Sequence, residues 1–600
     1  MSNRRFSRRA MLQSLVALGG VASLAGFRQP ARASTMPILP DGIGGGRSVA
    51  IIGAGVAGLT AAYLLANKGF QVVVFEADNR YGGRSLTVRP SDCDYRQWWF
   101  DRYNPSQLFP DMYVSSYRED PARSPVPEEQ TCRFEDTRWD AGSATGPVEL
   151  FFNAGPGRIP SNHYRVIDLC QEIGVEMEPY IFLSESNLLQ SSTFDNGQPI
   201  PFRQVNYSLM GQLAEAVAQF VIDGHALGQI GADQRDQVLN MLQQLGNLQS
   251  DYTFVANPQL GYAVQPGGWG DAGVVKPLVQ MTDILDSGFI GGGDPEFSPG
   301  SFLFNSNQII WQPTLMQPVG GMDRIWQQLL LSPISGAAMT EYSTQNLDRS
   351  TDGPLFVGDL VHLNHHVTAI EQTDDTCIRV SVRADDAAPE VTQRFDYCIC
   401  TMAPNLLARL PTTLPESFVA ALRQVPQTPA IKVGFQGKTR FWEEEDQIYG
   451  GISWTDHLIG QIWYPSEDFT KHTGVLTGAY NRGSPAQTYG QFDQATRINT
   501  ALEGGERLHP GYINKVYADA GLSIAWQHMP NQVGGWPGDT AGQFPDIYRT
   551  ITSQPQGRLY LAGDAYSYLP GWQEGSIGAV YQAVSALAYN LSVGSLEPVQ

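Results

Sequence analysis

A glycine-rich turn between a strand and a helix constrains the fold of this chain more than any other feature. The apolar segment Arg47–Ile52 predicts a strand, and the next residues have the spacing GxGxxG before the helical pattern Leu59–Asn67. A second predicted strand, Gln71–Phe75, ends at Glu76, where a carboxylate can accept hydrogen bonds from ribose hydroxyls. The glycines allow a tight turn, close approach of backbone N–H groups to a diphosphate, and close packing of the helix on the strand. The pattern predicts a dinucleotide-binding βαβ unit whose turn residues are Gly53, Gly55, Val56, Ala57 and Gly58.

The composition excludes several classes of partner. The 600-residue chain carries 39 Lys and Arg against 60 Asp and Glu, a net charge of −21, which repels nucleic acid phosphates and anionic membrane surfaces. Its 6 cysteines include no CxxC pair and no Cys/His cluster with zinc spacing, so we predict no metal site. With 42% hydrophobic residues the chain can bury large cores, and we expect a large globular protein.

The first 33 residues have the pattern of an export signal. Arginines precede the weakly apolar segment Met11–Phe27, and a small-x-small cleavage site follows at Ala31–Ala33. Within this segment Ser7–Gln13 (SRRAMLQ) resembles the twin-arginine signal. We therefore expect a twin-arginine signal peptide and a periplasmic or secreted mature protein that contacts no membrane. The alternative is an uncleaved anchor, for which the apolar segment is short, since a membrane helix spans about 30 Å of hydrocarbon.

The residues that follow the second strand resemble the flavin amine oxidase family. Glu76-Ala77 leads into Gly82-Gly83-Arg84, and this run is similar to the family segment whose arginine reaches the FAD diphosphate region. A guanidinium suits that place because it offers a fixed positive charge to the diphosphate. The resemblance implies FAD as the cofactor, with Glu76, Ala77 and Arg84 among its contacts.

The C-terminal part of the chain resembles the same family. The predicted strand Arg558–Ala562 is followed by Gly563-Asp564, and the family's acidic residue at this position binds a ribityl or ribose hydroxyl. The next segment, Gly571–Ile577 (GWQEGSI), opens a helix that lies along the isoalloxazine ring in the family. The resemblance thus assigns FAD contacts to Asp564, Gly571, Gly575, Ser576 and Ile577.

A segment from the middle of the chain completes the predicted cofactor site. Leu363–Glu371 resembles a family strand in which the residue at the position of Val367 contacts the adenine through its backbone. Some monoamine oxidases attach FAD covalently through a cysteine near the C-terminal segment, and no cysteine follows Cys400 here. The resemblance therefore implies noncovalent FAD.

Asn153–Pro160 (NAGPGRIP) resembles the Gly-Pro-Met-Arg-x-Pro segment of L-amino acid oxidases, with Gly157 at the position of the usual Met. In those enzymes the arginine holds the substrate α-carboxylate, and the resemblance gives this role to Arg158. A planar guanidinium can pair with both carboxylate oxygens and so fix the substrate. The alternative is a surface or structural arginine. The same segment places Gly155 and Arg158 beside FAD.

Other segments resemble the substrate site of these oxidases. Tyr480 aligns with the tyrosine whose hydroxyl shares the α-carboxylate, and Trp572 aligns with an aromatic wall beside the substrate amine. Lys432 falls at the lysine that reaches flavin N5 through a water; the alternative is a surface lysine at a strand end. The carbonyl of Gly571 can accept a hydrogen bond from the amine, and we interpret His163 as structural. The predicted catalytic set is Arg158, Lys432, Tyr480, Gly571 and Trp572.

The resemblance implies an α/β fold with a Rossmann-like FAD-binding domain of the GR2 type, a mixed-sheet substrate domain and a helical subdomain. After the signal peptide at 1–33, the FAD-binding domain is predicted at 47–90, 315–425 and 550–600, and the substrate-binding domain at 141–180 and 426–549. Residues 181–314 are predicted to be mainly helical. Residues 91–140 resemble an insertion relative to the family, with no role assigned.

The function implied by the resemblance is oxidative deamination of L-amino acids. The small-molecule partners are the amino acid and O2, and the products are a 2-oxo acid, ammonia and hydrogen peroxide. Three alternatives stay open: a monoamine or polyamine oxidase, which does not need Arg158; an amino acid 2-monooxygenase, which releases an amide and CO2; and a nonenzymatic FAD-binding module. Trp536 and Trp572 favour large or apolar substrates, whereas Trp526 is interpreted as a core residue. The sequence leaves open the preferred side chain and whether the chain forms an oligomer.

Overall fold

The structure, a computed structural model, describes residues 34–89, 113–118, 129–135, 150–225, 231–255, 278–289, 303–304, 311, 313–346, 353–372, 376–384, 387–538, 540–553 and 555–594. The predicted signal peptide at 1–33 and most of the predicted insertion at 91–140 lie outside these residues. The segment Pro37–Gln600 forms one unit by its contacts.

Five parallel strands form the sheet that carries the glycine-rich turn. Their order across the sheet is Val361–His362, Gln71–Phe75, Ser48–Ile52, Tyr397–Cys400 and Leu559–Leu561. The central strands are apolar at almost every position, as expected for parallel strands that are buried on both faces. Helices Val56–Ala66 and Gln573–Val593 pack against each other and against strands of this sheet.

Alternate residues of the parallel sheet pack into a core on one face. Ala50, Ile52, Val73 and Phe75 point to the same side because successive side chains of a strand alternate between faces. They meet a three-stranded antiparallel sheet and helix Glu416–Arg423. The strands of this second sheet are His365–Glu371, Ile378–Ala384 and Val391–Phe395.

A mixed nine-stranded sheet forms the second layer of the molecule. Its order is Ile200–Pro201, Leu188–Gln190, Ile452–Thr455, Gln461–Trp463, Val475–Arg482, Ala430–Gly437, Val516–Ala525, Glu129–Phe134 and Tyr113–Arg118. Most neighbours are antiparallel, but Ile452–Thr455 runs parallel to Leu188–Gln190. Helices Gly483–Gly490 and Gln494–Leu508 pack on this sheet.

Both edges of the large sheet come from segments whose strands could not be predicted from the sequence pattern. The predicted insertion contributes strands Tyr113–Arg118 and Glu129–Phe134 to one edge. The predicted helical segment contains helices Phe202–Ile222, Arg235–Gly246 and Met281–Asp286, but it also supplies the short strands Leu188–Gln190 and Ile200–Pro201 at the other edge. Strands of two or three residues are too short to show a period.

The remaining elements connect these layers. Small sheets pair Thr87–Val88 with Phe152–Asn153, Pro333–Ile334 with Leu355–Phe356, and Gln427–Thr428 with Trp536–Pro537, while Leu315–Pro318 lies between Ile159–Pro160 and Met177–Pro179. The other α-helices are Tyr164–Ile173, Arg324–Leu330, Glu341–Gln345, Pro404–Leu407, Phe441–Glu444, Tyr512–Lys515, Thr540–Gln543 and Pro545–Thr552. Among the described helices, none has the length and apolar character of a membrane span.

Candidate functional site

A cavity of about 570 Å³ opens at the carboxyl ends of the parallel strands. Gly53, Glu76, Thr401 and Gly563, each of which lies just after one of these strands, line it together with residues of the large sheet. In open α/β sheets the crevice outside the carboxyl ends of the strands is where ligands bind. The size also lies in the range usual for small-molecule sites.

The glycine-rich turn has the backbone geometry that a diphosphate needs. Gly53 has a φ of +99°, in the region that favours glycine, and a Cβ at Gly58 would overlap the Gly53 carbonyl oxygen. A Cβ at Gly55 would instead meet only the Gly82 carbonyl oxygen, at 3.9 Å, so the space over this residue is open. Gly53, Gly55, Val56 and Ala57 line the cavity, while Gly58 packs the helix onto the strand. The free N–H groups of the first helical turn therefore face the cavity wall.

The Glu76 carboxylate lies next to this turn. Its Oε2 accepts a hydrogen bond from Ala54 N at 2.7 Å, and its Oε1 accepts one from Asp78 N at 2.8 Å. Burial, with the neighbouring Asp78 charge, raises the pKa of Glu76 to about 7. Glu76 and Ala77 line the cavity, and Val367 lines it nearby in strand His365–Glu371. This arrangement has the parts expected around an adenosine.

Arg84 and Asp564 form an ion pair with each other. Both line the cavity, and the guanidinium contacts both oxygens of the carboxylate. Asp564 Oδ2 also accepts a hydrogen bond from Gly571 N at 3.1 Å. The sequence predicts separate FAD contacts for these two side chains, whereas the structure joins them. The pair links the Gly82-Gly83-Arg84 turn to the segment that leads into helix Gln573–Val593.

The start of helix Gln573–Val593 presents only part of its predicted set to the cavity. Gly571, Trp572 and Ser576 line it. Ile577 is fully buried in the protein core, and a Cβ at Gly575 would overlap the Leu569 carbonyl oxygen. Successive helical residues are about 100° apart around the axis, so neighbours cannot all face one ligand.

Near Trp572 the Arg158 side chain, which also lines the cavity, lies among aromatic rings. Its guanidinium carbon is 4.4 Å from the ring centroid of Trp311, 4.6 Å from that of Trp463 and 5.7 Å from that of Trp572. No carboxylate among the described residues forms an ion pair with Arg158, and its buried Nε has no hydrogen-bond partner. Burial lowers the pKa of Arg158. The cavity wall thus holds a cation that has no carboxylate partner among the described residues.

Two neighbouring strands of the large sheet supply the adjacent wall. Lys432 lies opposite Tyr480 in the antiparallel register, and both residues line the cavity. Lys432 Nζ donates hydrogen bonds to the carbonyl oxygens of Asn153 at 2.8 Å and Gly155 at 2.6 Å, and lies 5.1 Å from the centroid of the Tyr480 ring. Burial and the nearby Arg158 charge lower the pKa of Lys432 to about 7. The structure therefore brings the whole predicted catalytic set to one cavity.

Comparison with known proteins agrees with this geometry. Residues 351–587 match the family model of flavin containing amine oxidoreductases, and residues 51–113 match that of NAD(P)-binding Rossmann-like domains. Over this C-terminal segment the chain is similar to the flavin containing amine oxidoreductases. The predicted resemblance to this family and the α/β fold class are thereby confirmed, and the comparisons support a flavin-dependent oxidoreductase.

Individual relatives cover almost the full length of this chain. The flavin-dependent L-tryptophan oxidase RebO of Lentzea aerocolonigenes is 24% identical over 571 residues, which cover 90% of this chain and 98% of the relative. The putative L-amino-acid oxidase YobN of Bacillus subtilis is 24% identical over 549 residues, covering 88% of this chain and 92% of the relative. The solved structure of a cyclohexylamine oxidase from Brevibacterium oxydans shares the fold, with a TM-score of 0.51 and 16% identity over 91% of this chain and 100% of the other.

The residues that line the cavity fit FAD. The open space over Gly55, the helix N-terminus behind it and the carboxylate of Glu76 offer the contacts that a dinucleotide needs. The ring end of the cofactor would lie toward Gly571, Ser576 and Lys432, which line the other part of the cavity. The described residues contain no cluster of His, Cys, Asp or Glu side chains placed to hold a metal ion.

Two charged or titratable residues of the cavity are missing from the predicted catalytic set. His163 lines the cavity, and its ring lies edge-on to Trp572 at a centroid distance of 4.9 Å. Burial lowers the pKa of His163 to about 4, so it is neutral near pH 7. Arg482 also lines the cavity, two residues beyond Tyr480 in the same strand. The spacing of two residues in a strand is the signal that could have identified it, because such residues share a face.

Proposed function

We propose that this protein is an FAD-dependent L-amino acid oxidase. One observation carries the proposal: Arg158 places a positive charge in the cavity without a described carboxylate to balance it. The overall reaction consumes an L-amino acid, O2 and water, and yields a 2-oxo acid, ammonia and hydrogen peroxide. When bound, FAD supplies the two-electron oxidation of the bond between Cα and the amine nitrogen.

A substrate carboxylate is the counterion that this arrangement favours. The aromatic rings cover faces of the Arg158 guanidinium, so its N–H groups must bind in the plane. A carboxylate meets that geometry with two parallel hydrogen bonds. Tyr480 lies on the neighbouring wall, where its hydroxyl can donate to the same carboxylate. A simple amine would leave the cation unbalanced, which disfavours a monoamine or polyamine oxidase.

Other residues of the same wall position the amine and the proton. The Gly571 carbonyl can accept a hydrogen bond from the substrate amine. The rings of Trp572 and His163 contact each other, and together they limit where the substrate amine can move. Lys432, with its pKa near 7, can hold or release a proton or bind a water there. No described cysteine lines the cavity, which supports noncovalent FAD. Release of the yellow chromophore into the supernatant after acid precipitation tests that point.

The purified holoenzyme can be tested with the twenty L-amino acids and their decarboxylated amines in a peroxide-coupled assay. We expect an amino acid to be oxidised faster than its amine. Arg158→Met should lower kcat/KM for amino acids by roughly 30-fold to 4,000-fold, the equivalent of the 2–5 kcal/mol lost with one partner of a buried charge pair. Arg423→Met, at an exposed helix end, is the matched control.

The products separate the proposed oxidase from its relatives. A 2-oxo acid and peroxide in equal amounts support an oxidase, whereas an amide and CO2 indicate a 2-monooxygenase. Faster oxidation of amines than of amino acids by the unchanged protein, or an unchanged kcat/KM in Arg158→Met, would show that Arg158 does not hold a carboxylate.

A further inference from the structure

A second arginine shares the substrate end of the cavity. Arg482 lies opposite Ala430 in the same strand pair in which Tyr480 lies opposite Lys432. All of these residues line the cavity, as the two-residue spacing within each strand requires. Arg482 therefore lies two residues beyond Tyr480, the residue expected to share the α-carboxylate, on the same face of the strand.

The Arg482 side chain lies at the exposed end of its strand and has no ion-pair partner among the described residues. Among the described residues, no carboxylate forms an ion pair with it and no group accepts a hydrogen bond from it. The chain has a net charge of −21, so carboxylates are in excess over cations. Other cations in the fold do find acidic partners, as in the pairs Arg84–Asp564, Arg89–Asp323 and Arg440–Glu443. An unpaired arginine that faces a ligand cavity points to an anionic ligand group.

Arg482 is also close enough to Arg158 for their charges to repel each other. The pKa of Arg158 is lowered mainly by burial, and the Arg482 charge lowers it further. Two positive side chains in one cavity repel each other, and a ligand with two negative charges would offset this repulsion. Lys432 is not a substitute for this second cation, since its ammonium group already donates to the Asn153 and Gly155 carbonyl oxygens.

We propose that the preferred substrate is an L-amino acid whose side chain ends in a carboxylate. Arg158 and Tyr480 hold the α-carboxylate, and Arg482 binds the side-chain carboxylate as the residue that selects the substrate. This inference rests on the proposed L-amino acid oxidase activity. The stoichiometry of the reaction is the same as for other amino acids: the acidic amino acid, O2 and water give the corresponding 2-oxo diacid, ammonia and hydrogen peroxide.

The aromatic rings near Arg158 do not by themselves select an aromatic side chain. Trp463 and Phe182 contact the guanidinium but do not line the cavity. Trp311 and Trp572 line it, and both lie within 6 Å of the same guanidinium carbon. These rings are thus engaged in holding Arg158, whereas Arg482 is held by no side chain in the described part of the fold.

The test compares acids with their near-isosteric amides. We expect the holoenzyme to oxidise L-glutamate or L-aspartate with a kcat/KM at least about 10-fold above that for L-glutamine or L-asparagine, since an amide lacks the charge. Arg482→Gln should lower kcat/KM for the acid by about 10-fold or more, chiefly through KM, and change that for the amide by less than about 3-fold. Arg482→Lys should restore part of the loss, and Arg423→Gln is the control on the exposed surface.

A second measurement needs no variant. Glutarate carries two carboxylates, so it should inhibit the holoenzyme at a concentration at least about 10-fold below that needed with butyrate, which carries one. Equal inhibition by the two acids, a preference for amides or aromatic amino acids, or an equal loss for acids and amides in Arg482→Gln would each overturn the assignment of Arg482. These results differ from failure of the proposed function, in which no L-amino acid yields peroxide and a 2-oxo acid.

Discussion

The two ends of the cavity differ in whether their charged side chains have partners within the protein. At the dinucleotide end the Glu76 carboxylate accepts two backbone hydrogen bonds, and Arg84 is paired with Asp564. At the substrate end Arg158 and Arg482 face the same cavity without a described carboxylate partner. The cofactor end is thus held in place by contacts within the protein, whereas the substrate end keeps charge that a ligand must balance.

This difference has an energetic reason. A cofactor that stays bound needs a rigid site, and internal partners fix its side chains before it arrives. A substrate must bind and leave in every catalytic cycle, and its recognition depends on charges that are satisfied only in its presence. The protein tolerates the unbalanced Arg158 because aromatic rings at 4.4 and 4.6 Å from the guanidinium carbon stabilise it.

The largest effect is expected at the rigid end. In Gly58→Ala the new Cβ overlaps the Gly53 carbonyl oxygen, so the helix must move away from the strand. We expect the purified variant to lose most of its flavin, measured as the ratio of absorbance at 450 nm to that at 280 nm, and with it the activity.

Gly157→Ala is the matched control for that change. A Cβ at Gly157 meets no atom within 4 Å, and the residue lies at the substrate end of the same cavity. Its flavin content should equal that of the unchanged protein. If Gly58→Ala keeps its flavin while Gly157→Ala loses it, the two ends have been assigned the wrong way round.

A smaller effect is expected where the two ends are joined. Glu574, in the first turn of helix Gln573–Val593, accepts hydrogen bonds from the backbone N–H groups of Arg165 and Val166 and pairs with the Arg165 guanidinium, each at 3.0 Å. Glu574→Gln replaces one acceptor oxygen by a donor group and should cost about 1–3 kcal/mol of stability. We expect a lower thermal midpoint with the flavin content unchanged. We also expect a higher KM, because helix Tyr164–Ile173 begins just after His163, whose ring contacts Trp572 in the cavity.

Glu416→Gln controls for the loss of a carboxylate, since the Glu416 side chain is exposed in the first turn of its helix and contacts only Arg423 among described charged groups. Its thermal midpoint and KM should not change. Loss of flavin in Glu574→Gln, with KM intact, would mean that Glu574 supports the dinucleotide end instead.

The same contrast explains how much of the molecule can be read from the sequence. The rigid end consists of short, contiguous motifs whose geometry is local: residues 53–58 form the turn and the start of the helix, and Glu76 directly follows the next strand. The residues of each motif determine the local backbone conformation, so the fold and the cofactor could be predicted from the motifs. The pairing of Arg84 with Asp564 could not, because it joins residues 480 positions apart.

The substrate end depends on contacts between distant segments. Arg158 can be assigned from its motif, but the rings around it come from positions 182, 311, 463 and 572. The sheet register that aligns Lys432 with Tyr480 and Ala430 with Arg482 is likewise a tertiary property. Once Tyr480 is placed on a strand, however, the alternation of side chains alone puts Arg482 on the same face.

Lys432 lies between the two ends, and its titration gives the smallest and most specific effect. Its pKa is about 7 in the folded protein, well below the ordinary value of 10.5, chiefly because of burial. Between pH 7 and pH 10 the unfolded chain therefore binds a proton that the folded protein lacks, and the stability of the folded protein rises with pH in this range. Lys432→Met removes this contribution. Relative to that variant, the unchanged protein should gain about 1–2 kcal/mol from pH 7 to pH 9, discounted because the side chain is partly accessible.

The measurement is the thermal midpoint of the holoenzyme and of Lys432→Met at several pH values, with Lys68→Met as a control on the exposed surface beside Asp41. Only the slope against pH is diagnostic, because the Met side chain also leaves the carbonyl oxygens of Asn153 and Gly155 without their donor at every pH. If the difference in thermal midpoint between the two proteins stays constant from pH 7 to pH 9, the pKa of Lys432 is not lowered, and its charge is balanced within the protein like those of the dinucleotide end. A difference that grows in favour of the unchanged protein places it with Arg158, whose positive charge lowers the same pKa.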